Sequence, residues 1–164
     1  MTIIIKNKET LLIDEFKFKC SVGKKGFTRN KKEGDLKTPA GIFELGKIYY
    51  RPDRIEKPLS KLQTTTIKKN MGWCDDPKSK DYNKLIKYPF NYKSEKLYRS
   101  NNIYDIILVL NFNMHPIKKN KGSAIFIHIS NNKYSPTQGC IAIKKKELIK
   151  LIKFINKKTK IIIN

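Results

Sequence analysis

A histidine and a cysteine that could act together lie 12 residues apart in the last quarter of the chain. His128 closes the apolar run 125–128, while Cys140 follows Gly139 and precedes a second short apolar run at 141–143. A thiol attacks as its thiolate, and because its ordinary pKa is about 8.5, a neighbouring histidine usually accepts the proton. We therefore predict that Cys140 is a nucleophile and that His128 is its base.

Each of these two residues also has a structural interpretation. A free cysteine is commonly a small buried hydrophobe. A lone histidine among apolar neighbours is more often a hydrogen-bonded core residue than a catalyst. The turn-forming residues 135–139 favour a thiol exposed where a loop meets a strand. Because His128 and Cys140 occur together, we prefer the catalytic interpretation for both.

Two further segments carry candidate site residues. His115 is a second candidate base, and the following proline favours an extended or turn conformation at the end of a strand. Trp73 and Asp75 lie in a segment that combines an aromatic ring, a thiol and two carboxylates. Its acidic side chains either cap a local turn or, with Trp73, contact a substrate.

The composition is that of an ordinary globular protein with an unusual charge. We predict one domain that spans residues 1–164, since this length encloses one sizeable core. The net charge of +22 would attract polyanions such as nucleic acid, anionic lipid or an acidic wall polymer. Only four of the 36 basic residues are arginines, and no nucleic-acid motif is present. The lysines are spread along the whole chain, so we interpret them as solvated surface and expect no specific nucleic-acid partner.

Other classes of protein are excluded by simple patterns. No apolar run approaches the roughly 20 residues that a transmembrane helix needs. Residues 1–6 do not resemble the start of a signal peptide, so the protein is cytosolic or its signal is missing from this sequence. The three cysteines cannot all pair and show no short spacing typical of zinc sites. We predict at least one free thiol, no bound metal and no cofactor.

Strand-like runs dominate the first two thirds of the chain. They cover residues 2–5, 11–13, 16–22, 41–50, 104–110 and 124–129. Their alternating or continuous apolar character predicts an antiparallel or mixed β-sheet with long loops. Residues 51–100 are the least periodic and predict a long insertion over one end of the sheet. The apolar period changes only near the C-terminus, where it predicts an amphipathic helix over about 145–157.

These residues together resemble the L,D-transpeptidase catalytic domain, also called the YkuD type. That family is marked by a histidine followed at a distance by Ser or Thr, His, Gly and Cys. The matching positions here are His128, Thr137, Gly139 and Cys140. A second mark, Thr-Pro-x-Gly-x-Phe, is matched by residues 38–43. The segments 72–77, 122–126 and 134–140 are similar to a bacterial subgroup of stand-alone domains, so the resemblance spans about 16–148.

The resemblance implies a mainly β fold, with an L,D-transpeptidase-like β-sandwich or mixed sheet, and a cysteine acyltransferase acting on peptidoglycan stem peptides. Cys140 would form a thioester and release D-alanine. An acceptor amine would then form a cross-link, or water would give L,D-carboxypeptidase activity. Backbone N–H groups around Thr137, Gln138, Gly139 and Cys140 would hold the oxyanion. The resemblance also implies a periplasmic or wall-associated location, and we expect a monomer.

The chain departs from the familiar motif beside the cysteine. Gln138 replaces the histidine that many members place before Gly-Cys, and Ala142 replaces an Asn or Arg. The gap between histidine and cysteine is also shorter than in the best-described members. We expect Arg99 or Arg51 to recognise the substrate carboxylate instead. The alternatives are another Cys/His peptidoglycan hydrolase and a non-catalytic basic module that binds cell wall or nucleic acid.

Overall fold

The computed structural model of the protein describes residues 1–164 and is mainly β. It contains fourteen strands and one helix. In chain order these are β1 (Thr2–Asn7), β2 (Thr10–Ile13), β3 (Phe16–Ser21), β4 (Phe27–Thr28), β5 (Thr38–Pro39), β6 (Gly41–Tyr50), β7 (Thr64–Thr66), β8 (Met71–Cys74), β9 (Leu85–Lys87), β10 (Ser94–Lys96), β11 (Ile106–Leu110), β12 (Phe126–Ile129), β13 (Ile141–Ile143), α1 (Lys145–Phe154) and β14 (Lys160–Ile163).

Nine strands form the main sheet, in the order β11-β12-β13-β3-β2-β1-β14-β6-β7. Strand β6 also pairs with β11, so the strand pairing forms a closed circuit. Three of the pairs, β1–β14, β12–β13 and β6–β7, are parallel, and the others in this sheet are antiparallel. The prediction of a mainly β fold with a mixed sheet is confirmed.

The sheet is buried on both faces where the candidate site lies. In β11, Ile106, Leu108 and Leu110 belong to a cluster of 25 buried apolar residues, while Ile107 and Val109 belong to a second cluster of ten. A strand covered on both faces needs apolar residues at every position. This explains the continuous apolar run that the sequence shows here, in place of strict alternation.

Helix α1 packs onto the larger cluster through Leu148, Leu151 and Ile152. It ends at Phe154, three residues before the predicted end at about 157. Asn156 and Thr159 form a turn directly after it, in which the N–H of Asn156 donates to Thr159 Oγ1 at 3.0 Å. Such side-chain bonds compete with helical ones and stop the helix. Helix α1, the one helix of the structure, is neither long nor apolar enough to span a bilayer.

Strand β14 was not predicted, although its residues include the apolar run Ile161 to Ile163. It lies between β1 and β6 and runs parallel to β1, with Ile161 opposite Ile3. Parallel pairing with the first strand depends on contacts across nearly the whole chain. A short apolar run carries no local signal of such a partner.

The central segment 51–100 is more ordered than the predicted loop insertion. It contributes β7 to the main sheet and forms a separate three-stranded sheet, β10-β8-β9. Met71, Trp73 and Leu97 from this segment join the second apolar cluster. The insertion therefore covers the face of the main sheet that carries the candidate site.

Candidate active site

Strands β12 and β13 place His128 and Cys140 on one face of the sheet. The two strands are parallel neighbours, and His128 lies opposite Ala142 in the register. Residues opposite each other on adjacent strands point to the same face, and side chains alternate along each strand. Cys140 precedes Ala142 by two positions and packs beside Phe126 on the second apolar cluster. His128 in β12 and Cys140, directly before β13, are therefore diagonal to each other on one face of the sheet.

Both side chains line one cleft of about 420 Å³. No hydrogen bond joins the imidazole to the thiol in this state; each uses other partners. Catalytic hydrogen bonds are often incomplete without substrate. The arrangement brings the pair into the same cleft and leaves space there for a reacting group.

The thiol of Cys140 is held by backbone groups at the start of β12 and just before it. Its Sγ donates to the carbonyl oxygen of Ala124 at 3.1 Å and accepts the N–H of Phe126 at 3.4 Å. Burial and the nearby charge of Glu95 raise the pKa of Cys140 to about 12, although the Phe126 N–H and the Lys31 ammonium oppose that shift. The resting group is therefore a neutral thiol that needs a base.

The imidazole of His128 is oriented to serve as that base. The side chain is 7% exposed, and Nδ1 lies 3.0 Å from the carbonyl oxygen of Ile129. Since a carbonyl only accepts, Nδ1 carries the proton and Nε2 keeps a free lone pair. Burial, with a smaller contribution from the charge of Arg99, lowers the pKa of His128 from 6.5 to about 4. The imidazole is neutral at physiological pH and can accept a proton.

The turn before Cys140 is fixed by Thr137. The Thr137 hydroxyl donates to the carbonyl oxygen of Cys140 at 2.5 Å and accepts the N–H of Gly139 at 3.1 Å. The backbone N–H of Thr137 donates to the carbonyl oxygen of Val22 at 2.9 Å, which ties the turn to the end of β3. These bonds make the turn a rigid support for the nucleophile.

The backbone donors of this turn differ in availability. The N–H of Gly139 is already used by Thr137, so it is not free to hold an oxyanion as the sequence led us to expect. The N–H groups of Cys140 and Gln138 have no acceptor within the protein. An oxyanion hole needs donors that are free and fixed. Cys140 itself offers such a donor beside its own sulfur.

The second sequence mark, residues 38–43, begins beside the turn and helps to fix it. Thr38 is fully buried, and its Oγ1 accepts the N–H of Gly23 at 2.8 Å. Gly139 has φ +144°, and a Cβ there would lie 2.9 Å from the carbonyl oxygen of Lys37. The backbone beside Thr38 therefore requires glycine before the cysteine.

The structure places two of the other predicted site residues in the cleft and a third outside it. Asp75 and Arg99 line the cleft with Cys140 and His128. Trp73 does not line the cleft; its ring packs edge-on against that of Phe126, with the ring centroids 5.2 Å apart. It lines a separate cavity of about 390 Å³.

Two of the predicted polar residues lie outside the cleft. His115 is exposed on a loop and does not line the cleft. Arg51 is 3% exposed, pairs with Asp53 at 2.6 Å and stacks on Tyr98 at 3.5 Å. Its guanidinium is used to hold the central insertion, so of the two arginines only Arg99 can reach a ligand in the cleft.

Several cleft residues were missed by the sequence interpretation. Glu33 accepts hydrogen bonds from the hydroxyls of Tyr82 and Ser123, the latter at 2.8 Å. Glu95 accepts the Tyr104 hydroxyl at 2.5 Å. These residues come from distant parts of the chain, and no local motif marks them. No three His, Cys, Asp or Glu side chains are grouped so that they could hold a metal ion.

Comparisons with known proteins place the chain in a family. One solved structure with the same fold is that of the helical cell shape determining protein Pgp2 from Campylobacter jejuni. It shares 16% identity with a TM-score of 0.51, and the match covers 99% of this chain but 46% of that protein. No curated protein sequence matches. The L,D-transpeptidase catalytic domain family, YkuD, matches residues 1–163, and the chain belongs to this family.

Proposed function

We propose that the protein is a cysteine acyltransferase that acts on peptidoglycan stem peptides at the cell wall. The observation that carries this proposal is that Cys140, directly before β13, and His128, in the adjacent strand β12, line one cleft. Membership of the L,D-transpeptidase family supports the choice of substrate. The net charge of +22 suits a protein that works beside an acidic wall polymer.

The first half-reaction forms a thioester. His128 Nε2 accepts the thiol proton while Cys140 Sγ bonds to the carbonyl carbon between a diamino acid and D-alanine. The unpaired N–H of Cys140 stabilises the oxyanion of the tetrahedral intermediate. The carbon–nitrogen bond then breaks, and the imidazolium gives its proton to the departing amine of D-alanine.

The second half-reaction returns the free thiol. An acceptor amine, or water, attacks the thioester carbonyl and loses a proton to His128. The carbon–sulfur bond breaks, and the sulfur of Cys140 takes that proton back. An amine produces a cross-link between two stems, whereas water produces a shortened stem, so transpeptidase and L,D-carboxypeptidase activities share the thioester.

Product analysis with purified muropeptides tests this function. The protein is incubated with stem tetrapeptides, and the products are identified by liquid chromatography and mass spectrometry. We expect free D-alanine together with dimers joined through two diamino acids, or with tripeptides when water is the acceptor. His115→Gln serves as the matched control, since His115 lies outside the cleft. Unchanged muropeptides with the folded protein would refute the proposal.

A further inference from the structure

Tyr104 lies directly against the proposed base. Its side chain is 5% exposed, and its ring meets the imidazole of His128 edge-to-face, with centroids 5.4 Å apart and planes at 75°. The same ring packs against Phe126 at 6.0 Å and 79°. Aromatic pairs in this geometry are attractive and directional. The ring of Tyr104 therefore restricts how the imidazole can turn.

The ring of Tyr104 is held in place by a residue of the central insertion. Its hydroxyl donates to Glu95 Oε1 in β10 at 2.5 Å. The same carboxylate oxygen lies 3.8 Å from Nη1 of Arg99, and the Arg99 guanidinium lies 5.2 Å from the centre of the Tyr104 ring. One end of the tyrosine is thus anchored by a charge-assisted hydrogen bond, while the other end contacts the base.

Orientation matters because His128 makes only one side-chain hydrogen bond, from Nδ1 to its neighbour Ile129. A rotation of the ring would break that bond and move the Nε2 lone pair away from the cleft. A displacement of about 1 Å in a reacting group can cost about 100-fold in rate. A second constraint on the ring would therefore be useful to the chemistry.

We propose that Tyr104, anchored by Glu95, is a positioning residue that holds His128 in the tautomer and orientation required of the base. The kinetic part of this inference rests on the proposed function. It gives the central insertion a part in the reaction, since β10 supplies the anchor. In this role Glu95 and Tyr104 act on the reaction through the imidazole, while the charge of Glu95 also raises the pKa of the Cys140 thiol.

Histidine nitrogen NMR tests the proposal directly, because the protein has two histidines and His115→Gln assigns the second signal. We expect the His128 of the unmodified protein to be protonated only at Nδ1. In Tyr104→Leu both tautomers should appear, and the pKa of His128 should rise from about 4 towards 6.5 as water reaches the ring. The rate of Cys140 acylation should fall about 100-fold.

Tyr104→Phe is the matched control, since it keeps the ring and removes the hydroxyl. It should leave the Nδ1 tautomer as the main form, with less of the second tautomer than Tyr104→Leu shows, and lose no more than about tenfold in rate, consistent with the loss of one hydrogen bond. A purely structural tyrosine would lower the melting temperature without changing the tautomer. A Tyr104→Leu protein with an unchanged tautomer and acylation rate would overturn the proposal.

Glu95→Ala keeps the proposal testable if Tyr104→Leu does not fold. It removes the anchor while leaving the ring in place, so its spectrum should match that of Tyr104→Phe, with the second tautomer as a minor form. An unchanged spectrum would overturn the proposal. The NMR result is independent of the reaction. A tautomer change in the variant, together with no acylation in the unmodified protein, would refute the proposed function and retain the positioning role.

Discussion

His128 and Cys140 are both neutral in the resting protein, and this sets how the pair must react. Burial raises the pKa of the thiol to about 12 and lowers that of the imidazole to about 4. A preformed thiolate–imidazolium pair would require the opposite shifts. We infer that the proton leaves the thiol as the sulfur attacks, with His128 as general base.

This interpretation predicts the pH dependence of acylation. Because His128 is a base only when neutral, the rate should stay constant from neutral pH into the acid range and fall with a midpoint near 4. The measurement is the rate of covalent adduct formation as a function of pH. His128→Gln should be slow and lack this acid limb. An acid limb centred at 6.5 would show that the imidazole is not buried in the reacting state.

His128 and Cys140 could be selected as candidates from the sequence because their signals are local. A histidine within an apolar run, and a cysteine between a turn and an apolar run, can each be assigned to a strand or its edge without reference to the rest of the fold. Glu33 and Ser123 are 90 positions apart, and their contact arises only when the chain folds. Side chains of this kind, like Tyr104 behind His128, could not be predicted from spacing.

The turn from Thr137 to Gly139 connects the nucleophile to β3. Thr137→Val would remove a hydroxyl that makes two hydrogen bonds and leave the N–H of Gly139 without a partner. We expect a loss of about 1–3 kcal/mol in the free energy of unfolding, measured by urea denaturation. Thr137→Ser retains the hydroxyl and should recover most of that loss. Equal stability of the Val and Ser variants would contradict this role of the hydroxyl.

Gly139 should be more sensitive to substitution than a glycine in an open turn. Gly139→Ala meets the carbonyl oxygen of Lys37 at 2.9 Å, whereas Gly34 has φ +73° and no atom within 4 Å of a new Cβ. Both alanines are strained by the backbone conformation, but only Gly139→Ala also forces atoms apart. We expect Gly139→Ala to cost about 1–3 kcal/mol more than Gly34→Ala in urea unfolding. Equal costs would show that the two chain segments separate easily.

Seven of the nine strands of the main sheet were predicted, because apolar runs bounded by turn residues mark them directly. The other two, β7 and β14, and the short strands outside that sheet were not predicted. Strand β6 has the predicted bounds, and β13 coincides with the predicted short apolar run. The predicted end of the helix was wrong, because the apolar period continues past Phe154. The helix stops there because the N–H of Asn156 bonds to the Thr159 side chain and not to a helical carbonyl. Strand β14 was missed because its partners, β1 and β6, are distant in sequence.

The closed circuit of strands makes the C-terminus part of the core of the molecule. Ile161 in β14 is fully buried, while its neighbour Ile162 is only partly buried. Ile161→Ala should cost about 2–5 kcal/mol in the free energy of unfolding because it leaves a cavity. Ile162→Ala is the matched control and should cost about 1 kcal/mol or less. Similar losses in thermal or urea unfolding would contradict the placement of β14.

The whole fold therefore acts as a frame for two adjacent strands. The main sheet fixes β12 and β13, the turn at Thr137 ties the nucleophile to β3, and the central insertion covers the second face. The net charge of the chain is +22, while the cleft contains carboxylates, including Glu33, Asp75 and Glu95. In the proposed function, the high net charge suits attraction to an anionic wall, and the cleft would recognise the stem peptide.

Intact-protein mass spectrometry with a stem tetrapeptide is the most direct test of Cys140 as the acyl carrier. The unmodified protein should gain the mass of the stem minus D-alanine, and added hydroxylamine should remove that mass by cleaving the thioester. Cys140→Ala should gain nothing, while His115→Gln should behave like the unmodified protein. An adduct that persists in folded Cys140→Ala, or release of D-alanine by that variant, would contradict the proposed reaction.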